Sequence, residues 1–284
     1  MTLRTVLDTH IGQATSDGAG VRLTRVFGGP GPERFDPFLM LDEFGSDNPD
    51  EYIAGFPAHP HRGFETVTYM LEGRMRHEDH MGNVGLLGAG GVQWMTAARG
   101  VIHSEMPEQE EGVMRGFQLW LNLPAKAKLG PAGYRDIPPA EIPRVRLEGG
   151  VEVVVIAGQL RASGVEQAGA VQRPDTEPLY LDLHLPAGGA VAPAVADGHR
   201  VLLYVYEGSL SLEGHPQPVP AGRLLRLSEQ GEVRLGSEAG AKVLLIAGRP
   251  LGEPIMQYGP FVMNSREEIE QAMRDFRAGT LTEG

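Results

Sequence analysis

His59 and His61 stand two residues apart in Ala58-His59-Pro60-His61-Arg62-Gly63-Phe64-Glu65, and His103 and Glu105 stand two apart in His103-Ser104-Glu105. On an extended segment, side chains two positions apart point to the same face. Each pair can therefore present two donors to one side. If two such strands line one small barrel, three imidazoles and a carboxylate converge on one point. That donor set suits iron, manganese, nickel, copper or zinc, and an octahedral ion held by four side chains keeps two positions for water, dioxygen or substrate. A lone His-x-His is an ordinary strand feature. The second pair, which follows a Gly-rich strand–turn–strand region, turns it into a candidate metal site.

The elements that must hold these residues read as strands. The chain has 284 residues, 41% hydrophobic and 22% charged, a globular composition. Gly 39 and Pro 22 suit many short strands joined by tight turns. β-rich runs cover 21–27, 64–71, 91–95 and 116–121, and resume at 151–157, 179–185, 200–206 and 242–247. Between them, the Pro-rich stretch 123–143 reads as a linker or long connection, because its prolines deny it a central strand place. Near the C-terminus, Ser265 with Glu268 forms a capping box, Ile269, Met273 and Phe276 give one apolar face, and Gly279 is the stop.

The two halves share an order. Thr68-Tyr69-Met70-Leu71-Glu72-Gly73 matches Leu203-Tyr204-Val205-Tyr206-Glu207-Gly208, each a strand ending in Glu-Gly before a second strand. Two copies of one β-barrel follow, divided here as 1–130 and 131–284. Aligning Glu207 with Glu72 puts Ala194 and Ala196 where His59 and His61 stand, and Arg200 where Glu65 stands. Alanine cannot bind a metal, so the second copy is expected to lack the site.

Composition also excludes functions. No cysteine is present, so there is no disulfide framework and no thiolate ligand or nucleophile. The net charge of -12 gives no general attraction to phosphate backbones or anionic membranes, and no Lys/Arg run suggests a local exception. Direct nucleic-acid binding and membrane binding are not expected. Neither a signal-peptide core nor a stretch of transmembrane length is visible, and a cytoplasmic location is the expectation.

The motifs narrow the family. His59, His61, Glu65 and Gly73 resemble the first cupin motif, and His103 the closing histidine of the second. Arg34-Phe35-Asp36-Pro37-Phe38, Leu41-Asp42-Glu43-Phe44, His59-Pro60-His61-Arg62-Gly63-Phe64-Glu65-Thr66, Gln93-Trp94-Met95-Thr96-Ala97, His103-Ser104-Glu105-Met106-Pro107 and Gln257-Tyr258-Gly259-Pro260-Phe261-Val262-Met263-Asn264 resemble the pirins, in family order across nearly the whole chain. The resemblance implies an all-β fold of two tandem cupin (jelly-roll) barrels with a short C-terminal helix. It implies one divalent transition metal, Fe2+ first and manganese, nickel, copper, cobalt or zinc as alternatives, held in the N-terminal barrel by His59, His61, His103 and Glu105. The pirin set departs from many other cupins, in which the glutamate at the place of Glu65 ligates, so Glu65 is ranked as a supporting or structural residue, with ligation as the lesser alternative.

Some pirins resemble quercetinases, which open a flavonol with dioxygen and release carbon monoxide. The implied partners are then a flavonol-like aromatic substrate and O2, with Glu105 as the catalytic carboxylate that takes the hydroxyl proton. The other implied reading is an iron-containing, redox-responsive protein that binds a regulatory protein partner. The remaining histidines have plainer roles: His77 and His80 read as an exposed hairpin end, and His184, His199 and His215 as solvated or structural. Trp94, Met95, Phe56 and Phe64 read as core, and Gln118 is left open as a residue that reaches the pocket. Gln257 to Asn264 carries no linker signal and is expected to return to the first barrel.

Overall fold

Alternation of inward apolar and outward polar residues builds strands along nearly the whole of the computed structural model, which describes residues 2–28 and 35–283. Arg34, the first residue of one family string, lies outside the described residues. The chain divides into two units, each assembled from separate stretches. One comprises Gln13–Arg34, Phe38–Pro139 and Leu251–Gly284 and carries the paired histidines; the other comprises Met1–Gly12, Phe35–Pro37 and Ala140–Pro250. The units therefore interleave, whereas the sequence reading drew one continuous boundary after residue 130. The physical reason is strand pairing. Val6–Ile11 joins Arg223–Leu227 in the second unit, and the C-terminal segment joins the first through the bridge of Arg62 with Phe261. The expectation for Gln257 to Asn264 holds.

The histidine-bearing unit has two principal antiparallel sheets. The larger runs in the order Gly133–Ile137, Val92–Thr96, Phe64–Glu72, Met114–Asn122, Phe38–Ser46, Val21–Phe27 and Gln13–Asp17. The smaller runs Phe56–His61, Val101–Pro107, Arg74–Asp79 and Val84–Gly88. Phe44 and Met70 from the first pack with Met75 and Leu87 from the second in one buried cluster. Each such side chain contributes roughly 1.5–3 kcal/mol by leaving water.

Gly133–Ile137 falls inside the stretch read as a linker. Among the described residues it is an edge strand paired with Val92–Thr96 alone, and Pro131, Pro138 and Pro139 flank it. Proline is tolerated at the rim of a sheet, and that is why a Pro-rich segment still supplies a strand.

The other unit is built on a ten-stranded antiparallel arrangement centred on Arg200–Leu212 and Ala241–Gly248, with a core of Val and Leu side chains. The internal match is visible in the backbone. Gly73 and Gly208 both lie in the left-handed region, at φ of 84° and 70°. A Cβ at Gly208 would meet the Gly240 carbonyl at 2.1 Å, so only glycine fits.

The C-terminal helix, Arg266–Ala278, has the expected capping box between Ser265 and Glu268 and ends at Gly279. Its buried face is Ile269 and Ala272, with Met273 packed alongside; Phe276, 42% exposed, continues that face at its edge, its ring 6.2 Å from that of Phe261. Among the described residues, no helix is long and apolar enough to cross a membrane.

Candidate metal centre

Phe56–His61 and Val101–Pro107 are neighbouring strands of the smaller sheet, and His103 pairs directly with His59. The register shifts between His103 and Glu105, so Glu105 sits opposite Phe56. His59, His61 and His103 bring one donor atom each within 4.8 Å of one another. The ring of His103 lies 4.4 Å from that of His59 and 5.0 Å from that of His61, centroid to centroid. His59 Nδ1 donates to the Pro57 carbonyl at 2.8 Å, which leaves its Nε2 as the free lone pair. That Nε2 faces His61 Nε2 at 3.1 Å.

Burial keeps His61 and His103 neutral. Desolvation, with the neighbouring His59, holds the pKa of His61 well below the ordinary histidine value. Desolvation also holds His103 well below it, with His61, His59 and His77 adding to the effect. Neutral imidazole is the form that ligates. His103 Nε2 is buried with no hydrogen-bond partner among the described residues. A buried nitrogen without a partner is costly, and three imidazoles with donor atoms this close fit a single transition-metal ion.

The pirin model matches residues 20–121, and the pirin C-terminal cupin domain model matches residues 180–282. The chain belongs to the pirin family. A relative from Pseudomonas aeruginosa, named "Putative quercetin 2,3-dioxygenase", is 71% identical over 98% of each chain. A "Pirin-like protein" from Caulobacter vibrioides is 50% identical over 98% of this chain and 99% of its own. The crystal structure of a quercetin 2,3-dioxygenase from Acinetobacter baumannii superposes with a TM-score of 0.90 at 33% identity, over 99% of each chain. The all-β, two-cupin architecture with a terminal helix is the fold that these relatives share.

In this pirin the histidine cluster opens onto a cavity of about 880 Å³. Its walls include Phe44, Phe56, Met75 and Trp120, with Tyr258 and Pro260 of the C-terminal segment. Glu105, 4% exposed, lines it too. The Thr68 hydroxyl lies 3.0 Å from Glu105 Oε1 and 2.5 Å from the Gln118 amide oxygen. Gln118 thus reaches the pocket. Glu65 is 2% exposed and accepts from the Thr96 hydroxyl at 2.6 Å, which gives it a structural bond. Farther along the wall, Arg25 donates to both oxygens of Asp42, at 2.9 and 2.7 Å.

His77 corrects the sequence reading. It is fully buried, not an exposed hairpin end, and forms a second close trio with His103 and Glu105. Its strand, Arg74–Asp79, places Met75 and His77 inward while Arg74, Arg76 and Glu78 face solvent. That period of two was the available signal; the adjacent Asp79-His80 obscured it. His80 is exposed, as expected. Trp94, Met95 and Phe64 are core residues, whereas Phe56 is only half-buried and lines the cavity.

The second unit has no comparable cluster among the described residues. Ala194 and Ala196 line a cavity of about 530 Å³ there with His199, whose Nε2 lies 3.3 Å from Glu177. His184 bonds Asp182 at 2.9 Å.

Proposed function

We propose that this pirin is a metal-dependent dioxygenase of the quercetinase type, holding one divalent transition metal, iron first, on His59, His61, His103 and Glu105. The observation that carries the reading is the close grouping of His59, His61 and His103, the last two buried and neutral, with the buried Glu105 carboxylate close to His103, at the wall of an apolar cavity of about 880 Å³. When bound, the ion supplies Lewis acidity and one-electron redox chemistry.

The chain's own residues supply the rest. Phe44, Phe56, Met75 and Trp120 give a flat aromatic substrate an apolar slot and keep water from the reacting centre. Glu105 Oε takes the proton of the flavonol hydroxyl. The single proton of the Thr68 hydroxyl is donated to that carboxylate, and the Gln118 amide lies against the same hydroxyl. One flavonol and one O2 are consumed for each ring-opened product and each carbon monoxide released. Relatives that carry the quercetin dioxygenase name over the whole chain length support this assignment.

The test is turnover by protein loaded anaerobically with ferrous iron, followed as quercetin loss, O2 uptake and carbon monoxide release. Equal amounts of all three are expected, and Glu105→Gln is expected to keep its metal and lose turnover. Metal-loaded wild-type protein that consumes no flavonol would sink the dioxygenase reading and favour a redox-responsive binding role in the cytoplasm.

A further inference from the structure

We infer that His77 is a positioning residue: set between the buried carboxylate of Asp79 and the ring of His103, it fixes the tautomer of His103 and leaves the His103 Nε2 lone pair free for the ion. The inference rests on the metal-site reading above.

The order of protons can be followed from the rim inwards. Asp136 and Tyr134 lie on the edge strand Gly133–Ile137, opposite Gln93 and Met95. The Gln93 amide nitrogen donates to Tyr134 Oη at 3.1 Å and to Asp136 Oδ1 at 3.2 Å. A carboxylate only accepts, so it orients the Gln93 amide with its nitrogen outward. The Gln93 oxygen then faces inward. It is buried with no hydrogen-bond partner among the described residues, and so is Nε2 of His77. His77 Nε2 faces the buried carboxylate of Asp79, whose Oδ2 lies 4.0 Å away. A carboxylate only accepts, so the His77 proton sits on Nε2.

His77 Nδ1 is consequently an acceptor. It lies 3.3 Å from His103 Nδ1, and both rings are buried. With one nitrogen an acceptor, the other must donate, so His103 carries its proton on Nδ1. Nε2 is left as its free donor, the atom available to the ion. Tyr134 stacks on His77 with ring centroids 4.5 Å apart and planes 24° apart, which fixes the ring plane. A ligating histidine whose second nitrogen is so bound loses little freedom when it coordinates, and removing such partners typically costs about 10–100-fold in metal affinity.

Two variants separate the hydrogen bond from the packing. His77→Phe keeps a ring against Tyr134 and deletes the acceptor. His77→Asn places an amide where Nδ1 stood and restores it. Cobalt(II) is the probe, titrated into metal-free protein and read by its visible d–d spectrum, with thermal stability measured alongside. The expected result is a 10–100-fold weaker Kd and an altered spectrum for His77→Phe, with His77→Asn within a few-fold of wild type. Long-range 15N correlation spectra of the wild-type protein loaded with zinc should show His103 protonated on Nδ1, and this needs no variant to fold. Wild-type affinity and spectrum in His77→Phe would overturn the positioning role, as would a His103 proton on Nε2 or a metal ligated by His77 itself. Equal losses of affinity in both variants, in step with stability, would reduce His77 to packing. A wild-type protein that takes up no cobalt fails at the site reading and removes the positioning role with it.

Discussion

The ammonium of Lys128, 1% exposed, donates to the carbonyl of Val262 at 2.9 Å. The same nitrogen donates to the Gly63 carbonyl and to Asn122 Oδ1, each at 2.6 Å. Gly63 lies two residues beyond His61, and Val262 belongs to the C-terminal segment that walls the cavity. One buried cation thus ties the segment to the end of the strand that carries His61.

Replacing Lys128 with methionine leaves three buried acceptors without this donor. Leaving a buried acceptor unpaired costs about 1–3 kcal/mol. Urea unfolding of Lys128→Met is expected to lose that much, with weaker metal uptake because the Gly63 end of the His59–His61 strand is loosened. A loss below about 1 kcal/mol, the size of an ordinary surface change, would contradict it.

Arg62 makes a second tie: its Nη1 donates to Asp275 Oδ2 at 2.7 Å and its Nη2 to the Leu281 carbonyl at 3.0 Å. Asp275→Ala should therefore destabilise the histidine-bearing unit by about 2 kcal/mol, the scale of a lost charged hydrogen bond in a half-buried place. Denaturant midpoints compared at equal slope test it, and an unchanged midpoint would show that the helix is held by its apolar face alone.

Stability of the metal-free protein should fall on acidification. His61, His103 and His77 all have folded-state pKa values lowered, chiefly by desolvation. In the unfolded chain they titrate near the ordinary 6.5. Below that pH the unfolded state binds more protons than the folded state, so stability rises with pH through this window and is fully present above it. Each imidazole contributes at most about 1.4 kcal/mol per pH unit. Urea midpoints at pH 7.5 and 5.5 give the answer: the lower pH should be the less stable, and His61→Phe should flatten the difference. Equal midpoints in the wild type would mean that these rings are charged at no cost.

Thr68→Val removes the hydroxyl between Glu105 and Gln118 without changing side-chain shape. Metal content should be unchanged, while kcat on a flavonol falls about tenfold, the equivalent of about 1.4 kcal/mol for one bond to a charged group. Steady-state kinetics with metal analysis on the same sample decide it. A full kcat would show that the carboxylate needs no such support.

Much of this was legible beforehand. The i, i+2 histidine pairs, the capping box at Ser265 and strands such as 179–185 follow from short-range periodicity, which a sequence displays directly. What was hidden depends on which strand pairs with which. Gly133–Ile137 looks like a linker because its prolines are judged before its place at a sheet edge is known. Val6–Ile11 belongs with Arg223–Leu227, more than two hundred residues away, and no local pattern carries that. His77 joins the site only because Arg74–Asp79 pairs with Val101–Pro107. Glu105 was singled out by its spacing from His103 and by the family resemblance; the general cupin motif offered Glu65 as a rival, and the Thr96 hydroxyl engages that carboxylate here.

The central claim is that His59, His61, His103 and Glu105 share one ion. Anomalous diffraction from crystals of the purified protein, recorded on both sides of the iron, nickel and zinc edges, locates that ion and names it. The account predicts a single peak about 2.0–2.2 Å from one nitrogen of each of the three histidines and from a Glu105 oxygen. No peak in metal-supplemented crystals, or a peak on His77, His103 and Glu105 with His59 and His61 left free, would contradict it.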